Sequence, residues 1–247
     1  MTIKRDDVVA EKPFISVVIP AYNEEKYLPR CLTSLDGQTY PRQCFEVIVV
    51  DNASTDRTAE IAQAHGARVV REERKGVGRA RQTGAEAAQG EIIAGTDADV
   101  AAPPEWLEQI AARFVADPRL GGLTGPVYFY DGNCFLRLWF RYVNTAWVWL
   151  LNVVGLSAFS GNNFAVRREP FQHSGGFRAE LVCGEDTDLA LRLRKVTKLA
   201  FAPEVVIYAS ARRGYHENYL RILLRTIALY LRLWLFNRLP DGQPEVR

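Results

Sequence analysis

Asp97-Ala98-Asp99 sets two carboxylates two residues apart, just beyond the apolar run Glu91-Ile-Ile-Ala94. In an extended segment, side chains two apart point the same way. Two carboxylates aimed together repel unless a cation or a sugar hydroxyl lies between them. Mg²⁺ and Mn²⁺ take carboxylate and phosphate oxygens together, and such an ion can neutralise a departing diphosphate. The same triplet also reads as a solvated turn ahead of the helix that Pro103-Pro104 opens. Asp51 follows four apolar residues and could accept hydrogen bonds from a base or a ribose; it could equally cap the next helix. In Gly184-Glu185-Asp186-Thr187-Asp188, Asp186 precedes an apolar-periodic stretch (Leu189, Leu193), where a general base or an N-cap would sit. The helix dipole would lower the pKa of a carboxylate there, so a base would need burial to oppose it. Ser160-Gly161-Asn162-Asn163 offers small residues and two amides, suited to acceptor hydroxyls or to a tight turn.

These groups need elements to hold them. Phe14–Ile19 reads as a buried first strand, Phe45–Val50 as a second, Ala67–Arg71 as a third and Glu91–Ala94 as a fourth. Helices are expected from about Asn52–Thr55 to His65, over Gly78–Gln89, and from Pro103 to about Ala116. Such alternation predicts a parallel, doubly wound α/β sheet, whose ligands lie beyond the carboxyl ends of the strands. Tyr22-Asn23-Glu24, Asp51-Asn52 and Asp97-Ala98-Asp99 all fall at those ends. Beyond Leu120 the pattern predicts a strand through Tyr130, an apolar helix from Phe135 to about Val154, a helix after Asp186, two short strands and a long closing helix.

The motifs follow one another in a specific order: Ile19-Pro-Ala-Tyr-Asn-Glu-Glu25, Val49-Val-Asp-Asn-Ala-Ser-Thr-Asp56, Lys75-Gly-Val-Gly-Arg-Ala-Arg-Gln-Thr-Gly84, Gly90-Glu-Ile-Ile-Ala-Gly-Thr-Asp-Ala-Asp99, Ser160-Gly-Asn-Asn163 and Gly184-Glu-Asp-Thr-Asp188. Over roughly residues 14 to 210 this series resembles the family 2 glycosyltransferases and their GT-A fold. The resemblance implies a nucleotide-sugar site made by Pro20, Tyr22, Glu24, Asp51, Arg81, Asp97 and Ala98. Tyr22 and Glu24 would lie along the nucleotide, Asp51 would read the base, and Arg81 would lie near the phosphates or the ribose. Asp97 would contact ribose or sugar, and Asp99 would hold Mn²⁺ or Mg²⁺. Gly161, Asn162, Asn163 and Glu185 would meet the acceptor, and Asp186 would deprotonate it in a single displacement with inversion. Many relatives place a His, which can complete the metal shell, at the end of the strand that follows the Glu-Asp motif. Val206-Ile-Tyr-Ala-Ser-Ala211 has none; His216 lies later, and Arg212 and Arg213 offer a positive charge for the diphosphate instead. The Gln-x-x-Arg-Trp run of processive synthases is also missing, which implies transfer of one sugar per encounter.

The whole chain fits that reading. Its 247 residues, 48% hydrophobic, suffice for one large α/β domain. Residues 14–130 would form the nucleotide-sugar half, 131–213 the acceptor half, and 214–247 a basic amphipathic helix and tail. With 31 Lys+Arg against 29 Asp+Glu, the charge balance argues against nucleic acid as the main partner. Four cysteines with no C-x-x-C pair give neither a zinc site nor a disulfide framework. Met1–Lys12 lacks an apolar signal-peptide core, so a cytoplasmic location is expected. Tyr142–Phe159, 18 residues without a charge, predicts a core or interfacial helix. In Tyr219–Arg238, Arg221, Arg225 and Arg232 share one helical face against an apolar remainder, which suits peripheral attachment to the inner face of an anionic membrane. The expected partners are a nucleotide-sugar, favoured as a UDP-sugar, and a glycan or lipid hydroxyl acceptor. Competing readings are a sugar nucleotidyltransferase, for which Ala21-Tyr-Asn-Glu is the wrong loop, a carboxylate-pair glycosidase, and a non-catalytic membrane-associated protein.

Overall fold

A computed structural model describes residues 12–153, 159–181 and 184–212. The closing basic helix, Arg213 and His216 therefore lie outside the described residues.

In β1 (Ile15–Ala21), Ile15, Val17 and Ile19 face one side of the sheet and Ser16 and Val18 the other, as the period of two requires. β1 pairs in parallel with β2 (Phe45–Asp51), and β2 with β3 (Arg68–Arg71). The helices α1 (Leu28–Asp36), α2 (Thr58–Ala64) and α3 (Val77–Ala87) link or follow these strands. β4 (Ile92–Gly95) pairs in parallel with the other edge of β1. Both faces of this half are covered, so its strands are apolar runs rather than clean alternations. On one side Leu28, Leu32 and Leu35 of α1 pack with Trp106, Ile110 and Phe114 of α4 (Trp106–Ala116). On the other, Ala80 and Ala85 of α3 pack with Phe171, Leu189 and Leu193.

The second half departs from a purely parallel plan. After the short β5 (Val100–Ala101) comes β6 (Leu120–Thr124), and then β7 (Val127–Phe129). The single strand expected through Tyr130 is thus two strands, in different sheets. Pro126 has no N–H for a ladder, and Gly125 packs so closely on the Val205 carbonyl that a Cβ there would collide with it. A continuous helical rod follows: α5 (Cys134–Leu138), a π-helical segment (Trp139–Asn144) and α6 (Thr145–Val153). Then come β8 (Phe164–Arg167), α7 (Arg168–His173), α8 (Glu185–Leu193), β9 (Lys198–Phe201) and β10 (Ile207–Ala209). The large sheet runs β3-β2-β1-β4-β8-β6-β9, with β8 antiparallel to both neighbours. A smaller sheet runs β5-β10-β7. This is the GT-A fold.

The rod decides between the core and interfacial alternatives for this stretch. Of its large side chains only Leu136 and Leu151 are buried, while Phe135, Tyr142, Trp149 and Val153 are exposed. It is not a core helix. No helix among the described residues is long and apolar enough to cross a membrane.

Candidate active site

The carboxyl ends of β1, β2 and β4 open onto one cleft, and the loops there are stitched together. Asn23, at φ 53°, accepts from Thr55 N at 2.8 Å, and its own N–H donates to Ser54 Oγ at 3.0 Å. Glu24 N donates to Thr58 Oγ1 at 2.8 Å, and Glu25 N to Asp56 Oδ2 at 3.1 Å. Asp51 is buried; it accepts from Ser54 N at 3.0 Å and from Arg71 Nη1 at 2.8 Å. Asn52 does not cap α2. Its amide donates to the Glu72 and Arg74 carbonyls at 3.0 and 2.8 Å and accepts from Gly76 N at 2.8 Å, which ties the loop before α3 to the end of β2.

Asp97-Ala98-Asp99 is not extended. β4 ends at Gly95 and a turn covers Ala98 and Asp99. The two carboxylates therefore separate instead of converging on one point. Asp97 Oδ1 accepts from Arg81 Nη2 at 2.8 Å, and Asp99 Oδ2 accepts from Arg212 Nε at 2.6 Å. The Ala98 methyl packs into the core. Pro20 lies within β1, opposite Val50.

Arg81, on the buried face of α3, joins Asp97 to Glu185. Burial works against its charge, but Glu185, Asp97 and Asp186 outweigh it and raise the guanidinium pKa. Burial likewise raises the pKa of Glu185, with Arg81 pulling the other way. A Cβ on Gly161 would come within 2.7 Å of Arg81 Nη1 and 2.9 Å of Asp186 Oδ2. The glycine loop therefore lies directly against this cluster. Gly184 starts α8 in the left-handed region at φ 74°, so Asp186 stands in the first helical turn rather than before it. Its Oδ1 accepts from Thr187 N at 2.7 Å.

A second cation balances the other side. Arg212 follows β10 and grips Glu24 with both terminal nitrogens, one at 2.8 Å. It also holds Asp99 and lies 4.3 Å over the Tyr27 ring. Burial raises the Glu24 pKa; Arg212 opposes this, and Asp99 and Asp97 add to it. Glu24 and Asp99 are thus two hard oxygen donors converging on one positive charge, a set that suits a divalent ion completed by phosphate and water. No cluster of three His, Cys, Asp or Glu among the described residues could hold a metal by itself.

The model of glycosyl transferase family 2 matches residues 16–175. The chain belongs to that family. Among its relatives, Glycosyltransferase AglE of Haloferax volcanii is 41% identical over 103 residues, 39% of this chain and 34% of AglE. The probable glycosyltransferase YdaM of Bacillus subtilis is 26% identical over 204 residues, 74% of this chain and 47% of YdaM. The chain spans less than half the length of either relative. The mannosyltransferase PcManGT of Pyrobaculum calidifontis, solved with GDP-Man and Mn²⁺, superposes with a TM-score of 0.70 at 25% identity, over 94% of this chain and 67% of that one. TarS 1–349 of S. aureus, solved with UDP-GlcNAc, gives 0.67 at 24%, over 89% and 66%; at that identity the likeness concerns the fold.

Against the family 2 pattern, two placements differ from expectation. Asn163, expected at the acceptor, is fully buried. Its amide donates to the Pro126 and Val205 carbonyls at 2.9 and 2.7 Å and accepts from Trp106 Nε1 at 3.0 Å, which fills it as an internal clamp. Glu185 is equally buried and turned to Arg81. Gly161, beside Asp186, and Asn162, whose carbonyl accepts from Thr96 Oγ1 at 2.9 Å, are half-buried. Three further residues contact the candidate site: Lys75, Arg71 and Tyr27. Lys75 bonds the Tyr22 hydroxyl at 2.6 Å and lies 4.4 Å over its ring; its place in the Lys75–Gly84 run was the available signal. Arg71 and Tyr27 carried none, because each acts through a partner distant in sequence.

Proposed function

We propose that the chain transfers one sugar from a nucleoside-diphosphate sugar, with UDP-sugar favoured, to a hydroxyl of a glycan or lipid acceptor, by a single displacement with inversion. The observation that carries this reading is the carboxylate set of buried Asp97, Asp99 and Glu185 with half-buried Glu24, at the ends of β1 and β4 and the start of α8, balanced by Arg81 and Arg212. Such a set would face the charges of a bound diphosphate. Residues 14–130 would hold the donor and 131–213 the acceptor. Asp51, fixed by Arg71 and Ser54, would accept from the base, and Tyr22 with Lys75 would flank the nucleotide. Asp97, oriented by Arg81, would meet the ribose or sugar. Asp99, with Glu24 beside it, would hold Mn²⁺ or Mg²⁺, which when bound neutralises the leaving diphosphate. Arg212 would turn its charge to the same phosphates. Asp186, in the first turn of α8 and against Gly161, would take the acceptor proton.

The neighbours support this reading by what they bind: GDP-Man and Mn²⁺ in PcManGT, UDP-GlcNAc in TarS, and UDP with Mn²⁺ in glucosyl-3-phosphoglycerate synthase of Mycobacterium tuberculosis. A relative in Methanococcus voltae is named for a dolichyl-linked sugar phosphate acceptor, which supports a lipid-linked acceptor. Thermal shifts with UDP, GDP and dTDP, each with and without Mn²⁺, test the donor. Asp99→Asn should abolish the metal-dependent shift. Asp186→Asn should keep the nucleotide shift and lose transfer; loss of both would remove Asp186 from the role of base.

A further inference from the structure

The helical rod of residues 134–153 combines three properties. It carries nine of the large apolar side chains exposed on the described protein, among them Phe135, Tyr142, Trp147, Trp149 and Val153. It carries Arg137 and Arg141 and no acidic residue; none occurs anywhere between Asp131 and Glu169. Neither arginine forms an ion pair with another described residue, and Arg141 lies 5.2 Å from the centre of the Tyr128 ring. Where the rod crosses the small sheet, a cavity of about 240 Å³ opens, lined by Tyr128, Phe129, Cys134, Arg137, Arg141 and Tyr208. The ring of Phe129, on its wall, packs 4.3 Å from that of Phe140 in the π-helical segment, a distortion often found at functional sites.

An aromatic and aliphatic face edged with arginine matches the chemistry of a membrane interface, where Trp and Tyr sit at headgroup depth and cations meet anionic lipid. The cavity supplies what a flat patch lacks, a recess lined by both arginines. It is also close to the cleft. Tyr208 precedes Arg212 by four residues, so the chain between them reaches at most about 13 Å, and Ser210 N donates to the Asp99 carbonyl at 3.0 Å.

We propose that this rod lies on an anionic bilayer and that the cavity seats the phosphate of a membrane lipid through Arg137 and Arg141, holding a lipid-linked acceptor beside the cleft. The acceptor role rests on the glycosyltransferase reading; the lipid site does not.

The full chain is floated with phosphatidylcholine vesicles and with the same vesicles doped with phosphatidylglycerol, and alkylation of Cys134, an exposed thiol on the cavity wall, is timed in each. Binding should require the anionic lipid, and doped vesicles should slow alkylation while inorganic phosphate does not. Arg137→Gln with Arg141→Gln should weaken flotation on the order of 30-fold, about 5-fold for each charge near the surface. The nucleotide thermal shift of that variant should be unchanged, which also reports that it is folded. Undiminished flotation of the double variant, or equal Cys134 alkylation with and without vesicles, would overturn the site. Protection by inorganic phosphate alone would overturn the lipid in favour of a soluble anion. Flotation with no nucleotide shift in the parent chain would leave the lipid site and remove the transferase reading.

Discussion

Arg212 is the side chain on which the cleft's charge balance turns. It is bound at once to Glu24 and Asp99, both largely buried. Removing one partner of a buried pair leaves an uncompensated charge. Arg212→Met should therefore destabilise the metal-free protein by about 3 kcal/mol, the low end for such a loss, read from urea midpoints. Mn²⁺ should restore much of that, because a bound cation stabilises the native state that holds it and would satisfy the same two carboxylates. An equal deficit with and without Mn²⁺ would argue that the pair takes no metal. The position is informative in itself, since the resemblance places a His at the end of this strand, and the chain instead brings Arg212, three residues beyond β10, onto the residue expected to hold the ion.

At the scale of elements, the cleft depends on loops fixed by side chains rather than by their own backbone. Asp56 accepts from Glu25 N at 3.1 Å and Thr58 N at 3.0 Å, joining the loop after β1 to the start of α2. Burial works against its charge, but hydrogen bonds from Thr58 and from the Glu25 and Thr58 backbone hold its pKa below the ordinary aspartate value. A carboxylate with a depressed folded pKa contributes stability above the unfolded value and loses it as pH falls through the folded one. Asp56→Asn, which loses the charge and one of the two acceptor oxygens, should then cost about 1 kcal/mol near neutrality, and the gap from the parent should close as pH falls through the lowered pKa of Asp56. A gap that persists at lower pH would place the effect elsewhere. Asn163 is the second such device. It joins the start of β8 to the β6–β7 link and to the turn before β10, with Trp106 of α4 as its third partner. Asn163→Ala would leave an indole N–H and two carbonyls buried, each costing about 1–3 kcal/mol. A loss of roughly 3 kcal/mol or more is expected in denaturant unfolding, against a small one if Asn163 were only an acceptor contact.

On the whole molecule, the two sheets have different surroundings. The large sheet is enclosed by helices, while the small one supports a rod whose outer face is aromatic and uncovered by described residues. Exposed apolar groups add little to folding, so Trp149→Ser should shift the unfolding free energy by no more than about 0.5 kcal/mol. A larger loss would mean that the face packs against protein. An exposed patch of this extent usually marks an interaction surface.

Much of this was legible in the sequence. Strand–helix alternation with period-two and apolar runs defined the first half and put Glu24, Asp51 and Asp97–Asp99 at strand ends, because local periodicity and turn residues act over a few positions. The reading weakened where distance in the chain matters. The split at Gly125-Pro126 depends on Val205, some eighty residues on. The internal role of Asn163 depends on four separate segments. Helical periodicity in residues 135–154 marked a helix but could not say which of its apolar faces would find a partner.

Asp97-Ala98-Asp99 shows the division most clearly. Residue type and position determined that acidic groups would crowd one sheet edge. Only the tertiary structure decided how their charge is met, sending Asp97 to Arg81 and Asp99 to Arg212, 16 and 113 residues away. The reason is physical: a carboxylate's need for a counter-charge is a property of the residue, but the identity of that counter-charge depends on which distant segments the packed core brings within about 3 Å.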